Sequence, residues 1–209
     1  MYIDLSVALN AQTPVYPGDP AIKVEPAGIL DRDGWNDHTV SFGTHIGTHI
    51  DAPLHMIAGG KTLNQMPIEQ FIGRGRLVAV DEEFSFERVR QADIQEGDIV
   101  LFHTGLSERY YEPVYFEAYP AMSTEIAHYL VERKVKMVGV DAGSVDNANG
   151  FPIHKILLAG GVLIIENLAN LHKLTDKVFT VYALPIKLDL DGAPARVVAH
   201  VTDVSHERS

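Results

Sequence analysis

The chain has no cysteine among its 209 residues and only one tryptophan. Without a thiol, disulfide bonds, thiolate metal ligands and cysteine nucleophiles are all excluded. Any metal site must therefore use histidine and carboxylate side chains. Long apolar runs are also missing, because the longest, residues 156–165, is too short to span a bilayer. The N-terminus lacks the basic and apolar segments of a signal peptide, so we expect a cytoplasmic protein with no membrane partner.

Positive charge is scarce. The chain has 17 lysine and arginine residues against 28 aspartate and glutamate residues, which gives a formal net charge of −11. This excess of negative charge opposes binding to nucleic-acid phosphates and to anionic lipid. We therefore expect a small-molecule substrate and no nucleic-acid partner.

No low-complexity linker, charge block or repeat marks a boundary, so residues 1–209 are predicted to form a single domain. Helices are predicted at residues 68–72, 86–91, 124–133 and 152–159, with Ser123 capping the third. Short segments rich in β-branched residues predict strands at residues 2–6, 23–26, 38–43, 77–81, 99–102, 136–141, 162–166, 178–185 and 195–204. This mixture indicates an α/β fold with a mixed, partly closed sheet and short flanking helices.

Three of the ten histidines lie with an aspartate inside one segment, at His45, His49, Asp51 and His55. Between positions 40 and 54 the even positions are mostly apolar, whereas the odd positions carry these polar residues. The four side chains are therefore predicted to share one side of the chain. Imidazole and carboxylate ligands suit Zn²⁺, and they also suit Mn²⁺ and Fe²⁺.

This segment must curl to form a metal site. A fully extended chain would separate His45 from Asp51 by about 20 Å at roughly 3.3 Å per residue, whereas ligand bonds measure about 2.0–2.2 Å. Gly43, Gly47 and Pro53 favour a strand that runs into a bent loop over a regular helix or strand. The alternative is a polar face whose side chains are satisfied by backbone hydrogen bonds.

A second group of candidates lies downstream. His154 falls in a short apolar helix and Glu166 ends an apolar strand, where a charge is costly unless it is paired or coordinated. The loop at residues 141–146, which contains Ser144, follows another apolar strand and could line the same cleft. Ordinary turn chemistry explains that loop equally well, and Glu166 at a strand end could instead face solvent.

The first segment matches every fixed position of the motif His-x-Gly-Thr-His-x-Asp-x-Pro-x-His, and on this basis the sequence resembles the cyclase-like family of metal-dependent hydrolases. That family includes bacterial kynurenine formamidases and isatin hydrolases. The similarity continues through residues 16–19, 104–105 and 141–146, and through the pair His154 and Glu166. It implies a swivelling β/β/α-type fold and assembly as a homodimer or homotetramer.

The resemblance also implies metal ligands. His45, His49 and Asp51 would hold a first ion. Asp51, His154 and Glu166 would hold a second ion in the members that bind two zinc ions. Some members use one manganese ion, so the motif leaves open whether one or two ions are bound.

The implied reaction is hydrolysis of a C–N bond in a small aryl formamide. The expected substrate is N-formyl-L-kynurenine, an intermediate of tryptophan catabolism, which yields L-kynurenine and formate after attack by metal-bound hydroxide. His55 is the implied acid-base residue, and either Glu166 or His55 would take the proton of water. Tyr16 and Ser144 are candidate substrate-binding residues. Tyr16 stands where kynurenine formamidases tend to carry tryptophan, which weakens the assignment of this particular substrate.

Three alternatives remain. The substrate could be a cyclic amide, imide or lactone such as isatin, opened by the same chemistry. A complete metal site could also belong to a non-catalytic protein that binds a metal or a small ligand. A serine hydrolase is disfavoured because the sequence around Ser144, residues 143–147, lacks the final glycine of a G-x-S-x-G elbow.

Overall fold

The computed structural model describes residues 1–202, which form ten strands and four α-helices. The strands are β1 (Tyr2–Asp4), β2 (Lys23–Gly28), β3 (Asp37–Ser41), β4 (His49–Asp51), β5 (Ile72–Ala79), β6 (Ile99–His103), β7 (Met137–Val140), β8 (Leu163–Glu166), β9 (Phe179–Pro185) and β10 (Gly192–Val201). The helices are α1 (Leu30–Asp33), α2 (Phe86–Gln91), α3 (Thr124–Glu132) and α4 (Pro152–Ala159). Short 3₁₀ helices lie at Pro53–His55, Leu63–Gln65, Ile68–Phe71, Leu106–Arg109, Pro113–Phe116 and Leu171–Leu174.

Eight strands form one mixed sheet in the order β1-β10-β4-β8-β7-β6-β5-β9. Strands β5 to β8 run parallel to one another, whereas β4, β9 and β10 pair antiparallel with their neighbours. Strand β9 pairs with both β5 and β10, so the sheet closes on itself. The predicted mixed α/β fold is confirmed. The sheet was predicted to be partly closed, whereas in the structure it closes on itself. A separate hairpin, β2 and β3, is almost entirely exposed.

The central strands of the sheet are buried on both faces, as β6 illustrates. Ile99 and Leu101 belong to the core cluster inside the closed sheet. Val100 and Phe102 belong to a second cluster, between the sheet and the helices. Successive side chains of a strand point to opposite faces, so a strand buried on both faces forms one continuous apolar run. This run is the signal that predicted the strand.

The helices follow their predicted positions closely. In α3 the Ser123 hydroxyl accepts a hydrogen bond of 3.2 Å from the Ile126 amide, as expected of a cap. Helices α2 and α4 match their predicted bounds, whereas the segment predicted at 68–72 is a 3₁₀ helix that ends at Phe71. Among the described residues, no helix combines the length and the apolar character needed to cross a bilayer.

Strand ends were predicted less well. Strand β5 begins at Ile72, five positions before its predicted start, because the polar segment around Gly73 and Arg74 pairs with β9. Strand β10 begins at Gly192 and ends at Val201, whereas residues 195–204 were predicted. Positions 203 and 204 of that prediction lie outside the described residues, as does the end of the predicted 1–209 domain.

Candidate metal centre and active site

The segment around β4 curls as its sequence requires. His45 Nδ1 lies 2.7 Å from Asp51 Oδ1, so the ends of this short stretch are in contact. Gly47 makes the turn with φ +57°, and a Cβ atom there would lie 2.3 Å from Leu9 Cδ2. Gly43 has no positive φ, so the turn depends on Gly47 and not on both glycines.

Pro53 ends the same segment. It begins the 3₁₀ helix Pro53–His55, which turns the chain back toward the start of the motif. The His55 ring consequently lies 3.9 Å from the His45 ring between centroids, with the two planes tilted by 39°. The three histidines and the aspartate of the motif therefore gather at one end of β4.

The downstream candidates come to the same place. Strand β4 pairs with β8 so that His49 stands opposite Glu166, with His49 Nε2 3.6 Å from Glu166 Oε2. Ile50, between the two polar residues of β4, points into the inner core. Helix α4 brings His154 Nε2 to 3.3 Å from Glu166 Oε1 and 3.5 Å from Asp51 Oδ2. The structure thus brings together all five residues predicted as metal ligands.

Two of the imidazoles are oriented by hydrogen bonds on the nitrogen that faces away from this cluster. His49 Nδ1 donates to the Gly47 carbonyl at 2.8 Å. His154 Nδ1 donates to Asp146 Oδ2 at 2.7 Å. Each ring therefore turns its Nε2 toward the carboxylates. Histidines that bind metals are commonly held this way, because the distant hydrogen bond fixes both the tautomer and the ring orientation.

The cluster fits a divalent cation. Within the described residues, the buried His49 Nε2 and Asp51 Oδ2 atoms have no hydrogen-bond partner, which is costly unless another group satisfies them. Two ligands bound tetrahedrally at about 2.0–2.1 Å stand roughly 3.3 Å apart. His49 Nε2 lies 3.4 Å from Asp51 Oδ1, and the other separations between these imidazoles and carboxylates are 3.3–3.6 Å.

His45 is the exception, because both of its nitrogens face carboxylates. Nδ1 contacts Asp51 at 2.7 Å and Nε2 contacts Asp191 Oδ2 at 2.9 Å. Burial lowers the pKa of His45, but the two carboxylates outweigh it and raise the pKa to about 9. Without a bound metal, this raised pKa favours the imidazolium form of His45 at neutral pH, and binding a metal through Nδ1 requires loss of the proton there.

The buried carboxylate and the helix histidine are charged as well. Burial opposes ionisation of Asp51, yet the charge on His45 and the nearby imidazoles of His154 and His49 hold its pKa well below the usual value. Burial also lowers the pKa of His154, but the hydrogen bond to Asp146 and the nearby carboxylates of Asp51 and Glu166 raise it to about 12. Protonated imidazoles thus supply the positive charge that these carboxylates require, and a bound cation would replace them.

His55 differs from these groups. It is only partly buried, and its Nδ1 lies 3.4 Å from Asp191 Oδ2. Burial and the neighbouring charges of His45 and His154 lower its pKa, although Asp51 and Asp191 oppose the shift. A neutral imidazole beside the ligand cluster is suited to accept a proton at neutral pH and then to donate it.

A cavity of about 430 Å³ opens beside the cluster. Tyr16 and Ser144, the predicted substrate-binding residues, both line it, together with Phe116 and Phe151. The Tyr16 ring packs edge-on against Phe116 at 5.9 Å between centroids. The cavity thus has an aromatic side and a side formed by imidazole and carboxylate groups. The Ser144 hydroxyl accepts a hydrogen bond from the Asp146 amide, which does not resemble an activated nucleophile.

Sequence reasoning missed part of the site. Asp191 was not singled out, because an aspartate before a glycine is an ordinary turn signal. Asp146 was considered only as one residue of the loop at 141–146, although it orients His154. Asp141, in the same loop, instead accepts hydrogen bonds from the amides of Thr104 and Gly105. The acidic loop after a buried strand was the available signal, but it does not separate these two roles.

Comparison with known proteins identifies the family and similar folds. The family model described as a putative cyclase matches residues 3–147. A kynurenine formamidase of Salinibacter ruber is 32% identical over 206 residues, which cover 94% of this chain and 95% of the relative. A solved structure described as a potential metal-dependent hydrolase with cyclase activity is 32% identical, covers 95% of this chain and 96% of its own, and has a TM-score of 0.78. Isatin hydrolase A from Labrenzia aggregata, bound to benzyl benzoate, is 26% identical, with coverage of 97% and 94% and a TM-score of 0.87.

Proposed function

Because this chain belongs to the putative cyclase family, we propose that it is a metal-dependent amidohydrolase that cleaves the C–N bond of a small aryl formamide. The chain is a hydrolase of this family, as its relatives are. The proposed substrate is N-formyl-L-kynurenine, which would give L-kynurenine and formate. One observation carries the proposal: imidazole and carboxylate groups from two separate stretches converge with ligand-like spacing beside a cavity with an aromatic wall.

The proposed cofactor is Zn²⁺, with one or two ions per subunit and Mn²⁺ as the alternative. His45, His49 and Asp51 would hold the first ion, and Asp51, His154 and Glu166 the second. In support, Asp51 turns one carboxylate oxygen toward His49, at 3.4 Å, and the other toward His154, at 3.5 Å. A divalent ion bound there would lower the pKa of water and polarise the substrate carbonyl.

The chain's own residues then have distinct tasks. Glu166 or neutral His55 accepts a proton as water adds to the formyl carbon, and a proton taken up by Glu166 passes to His55. His55 donates a proton to the departing amine nitrogen as the C–N bond breaks, so the products are formate and the free arylamine. The lowered pKa of His55 supports this role, because burial keeps the imidazole neutral and able to act first as a base.

The cavity lining supports an aromatic amino acid derivative as substrate. Tyr16, Phe116 and Phe151 offer ring faces and edges to an aryl group. Asp19 also lines the cavity and is exposed. Its carboxylate suits the ammonium group that N-formyl-L-kynurenine carries and that isatin lacks.

A cyclic amide such as isatin is the second candidate. The structural likeness to isatin hydrolase A favours it, and opening the ring would use the same proton transfers. The residue that separates the two candidates is Asp19, which a neutral cyclic amide does not need.

The test is hydrolysis of N-formyl-L-kynurenine and of isatin by the purified protein, before and after chelation and after return of Zn²⁺ or Mn²⁺. We expect N-formyl-L-kynurenine to be the better substrate, with activity lost on chelation and restored by metal. Asp19→Asn should raise the KM for N-formyl-L-kynurenine and leave that for isatin unchanged. Hydrolysis that survives complete removal of metal would contradict the proposal. Faster turnover of isatin would mean that isatin, and not N-formyl-L-kynurenine, is the better substrate.

A further inference from the structure

We propose that Asp191 is a positioning residue that orients both His45 and His55, so that a single carboxylate prepares one proposed metal ligand and the acid-base residue. The inference deepens the proposed function and rests on it, because that function gives the two histidines their roles. Asp191 lies in the loop before β10, far in sequence from the histidine motif.

The contacts of Asp191 are specific to each of its oxygens. Oδ2 accepts from His45 Nε2 at 2.9 Å and lies 3.4 Å from His55 Nδ1. Oδ1 accepts a hydrogen bond of 3.2 Å from the Thr44 hydroxyl. One oxygen therefore joins the two imidazoles, while the other is held by a neighbour of the histidine motif.

The backbone around Asp191 is also fixed to that motif. The Asp191 carbonyl accepts from the Ala52 amide at 2.8 Å, and the preceding Leu190 carbonyl accepts from the Leu63 amide at 3.1 Å. Gly192 then pairs with Asp51 across β10 and β4. The carboxylate is thus anchored to the strand pair that carries the central ligand, so its position relative to His45 is well determined.

Gly192 supplies a second, independent observation. A Cβ atom at this position would lie 2.7 Å from His45 Cε1 and 3.1 Å from His45 Nε2. Only a residue without a side chain lets the imidazole approach this close to the backbone. Both residues therefore position the His45 ring. Asp191 attracts it through the charge of its carboxylate, and Gly192 leaves the space that the ring occupies.

This arrangement completes a pattern shared by the proposed histidine ligands. His49 donates its outer N–H to the Gly47 carbonyl and His154 donates to Asp146, at 2.8 and 2.7 Å. His45 donates to Asp191, with the two ring nitrogens exchanged. A proton held on Nε2 by Asp191 leaves Nδ1 for the metal, and a carboxylate acceptor makes the imidazole a stronger ligand.

The same carboxylate acts on His55. A proton held on His55 Nδ1 by Asp191 leaves Nε2 free to exchange a proton with substrate. Without Asp191 the ring could rotate or adopt the other tautomer, which would place the wrong nitrogen at the reacting atoms. Removing Asp191 should therefore weaken metal binding through His45 and slow turnover through His55.

The test compares Asp191→Asn with Asp189→Asn. Asp189 is a matched control, because it lies in the same loop and its carboxylate accepts from the Thr62 hydroxyl at 2.7 Å. Metal-free protein is titrated with Zn²⁺ against a chromophoric chelator, and kcat and KM are measured at saturating Zn²⁺. For Asp191→Asn we expect metal affinity to fall about 10- to 100-fold, and kcat to fall with little change in KM. For Asp189→Asn neither quantity should change.

Two further variants protect the test against a folding defect. Gly192→Ala should weaken Zn²⁺ binding because it displaces the His45 ring. Thr44→Val releases only Asp191 Oδ1, and it should weaken binding severalfold. Thermal unfolding of each metal-free variant reports whether it folds.

The outcomes separate this inference from the proposed function. If Asp191→Asn binds Zn²⁺ and turns over as Asp189→Asn does, the role of Asp191 is wrong while the hydrolase proposal stands. If the wild type binds Zn²⁺ but hydrolyses neither substrate, the proposed function fails, and the Zn²⁺ affinities alone still decide whether Asp191 orients His45. If the wild type binds no Zn²⁺ or Mn²⁺, both are overturned.

Discussion

The two halves of the site are built in different ways. The buried half, called the floor here, lies on regular elements, namely β4, α4 and β8, and consists of His49, Asp51, His154 and Glu166. The exposed half, called the rim, lies on turns, loops and the end of a 3₁₀ helix, and consists of His45, His55 and Asp191. Side-chain exposure is 1–8% on the floor and 18–35% on the rim. Strands and a helix set the backbone of the floor, whereas turns and loops set the backbone of the rim.

This difference suggests a division of labour. The charges of the floor are shielded from water. An unpaired charge there therefore destabilises the protein more than one on the rim does, and a bound cation is stabilised more strongly. On the rim the groups can exchange protons with solvent and substrate. We therefore infer that the floor and His45 retain the metal, and that Asp191 and His55 of the rim tune it and move protons.

Asp51→Asn should have the most severe consequences for both halves of the site. Asp51 contacts histidines of both halves, and the substitution removes the negative charge that these imidazoles, or a cation, share. We expect loss of bound metal and near-complete loss of activity. Elemental analysis beside a turnover assay measures both, and a variant that keeps its metal would show that the floor does not hold the ion.

A rim substitution should separate metal binding from turnover. His55→Ala is expected to retain metal while its activity falls about 10²- to 10⁴-fold, the range typical of general acid-base catalysis. His45→Ala is the control on the same rim, for which we expect metal loss and near-complete inactivity. The role assigned to His55 would be refuted by metal loss in His55→Ala equal to that in His45→Ala.

A smaller effect is expected at Asp146, which supports the floor by orienting His154. Asp146 holds His154 Nδ1 at 2.7 Å and also accepts from the amides of Ile153 and His154 at the start of α4. Asp146→Asn keeps part of this hydrogen bonding but loses the charge, so we expect metal affinity to fall about 10- to 100-fold. A Zn²⁺ titration of the metal-free variant measures it, and unchanged affinity would mean that the orientation of His154 does not depend on Asp146.

The smallest expected effect is on the pH dependence of stability in metal-free protein. The folded pKa of His45 is about 9 against an ordinary 6.5, so its contribution is complete below pH 6.5 and is lost as pH rises through 9. His154 on the floor, with a pKa of about 12, keeps its charge over this range. We expect a loss on the order of 1–3 kcal/mol between pH 6.5 and 9. Thermal unfolding of chelated protein should show this loss in the wild type and not in His45→Ala.

The sequence predicted all four residues of the floor, whereas on the rim it predicted His45 and His55 but not Asp191, for a physical reason. Alternation placed His49 and Asp51 on one side of a strand, and Glu166 stood out because a charge at the end of a buried strand needs a partner. These signals are local. The pairing of β4 with β8 brings these residues within ligand distance. It follows from the order of strands in the sheet, which no short stretch of the sequence indicates.

The rim depends on contacts between distant loops. Asp191 is 146 residues from His45 and 136 from His55, and its sequence neighbourhood indicates only a turn. The need for Gly192 becomes visible once the His45 ring is seen against its backbone. Fold class and helix positions followed from burial patterns and caps, whereas closure of the sheet depended on β9 pairing on both of its edges.

The proposed metal centre is tested most directly by anomalous scattering from crystals grown with Zn²⁺ or Mn²⁺. We expect anomalous density between His49, Asp51 and the nitrogen of His45 that faces Asp51, with a second peak beside His154 and Glu166 if two ions bind. Crystals that diffract well and show no anomalous density near Asp51, at saturating metal, would contradict this proposal.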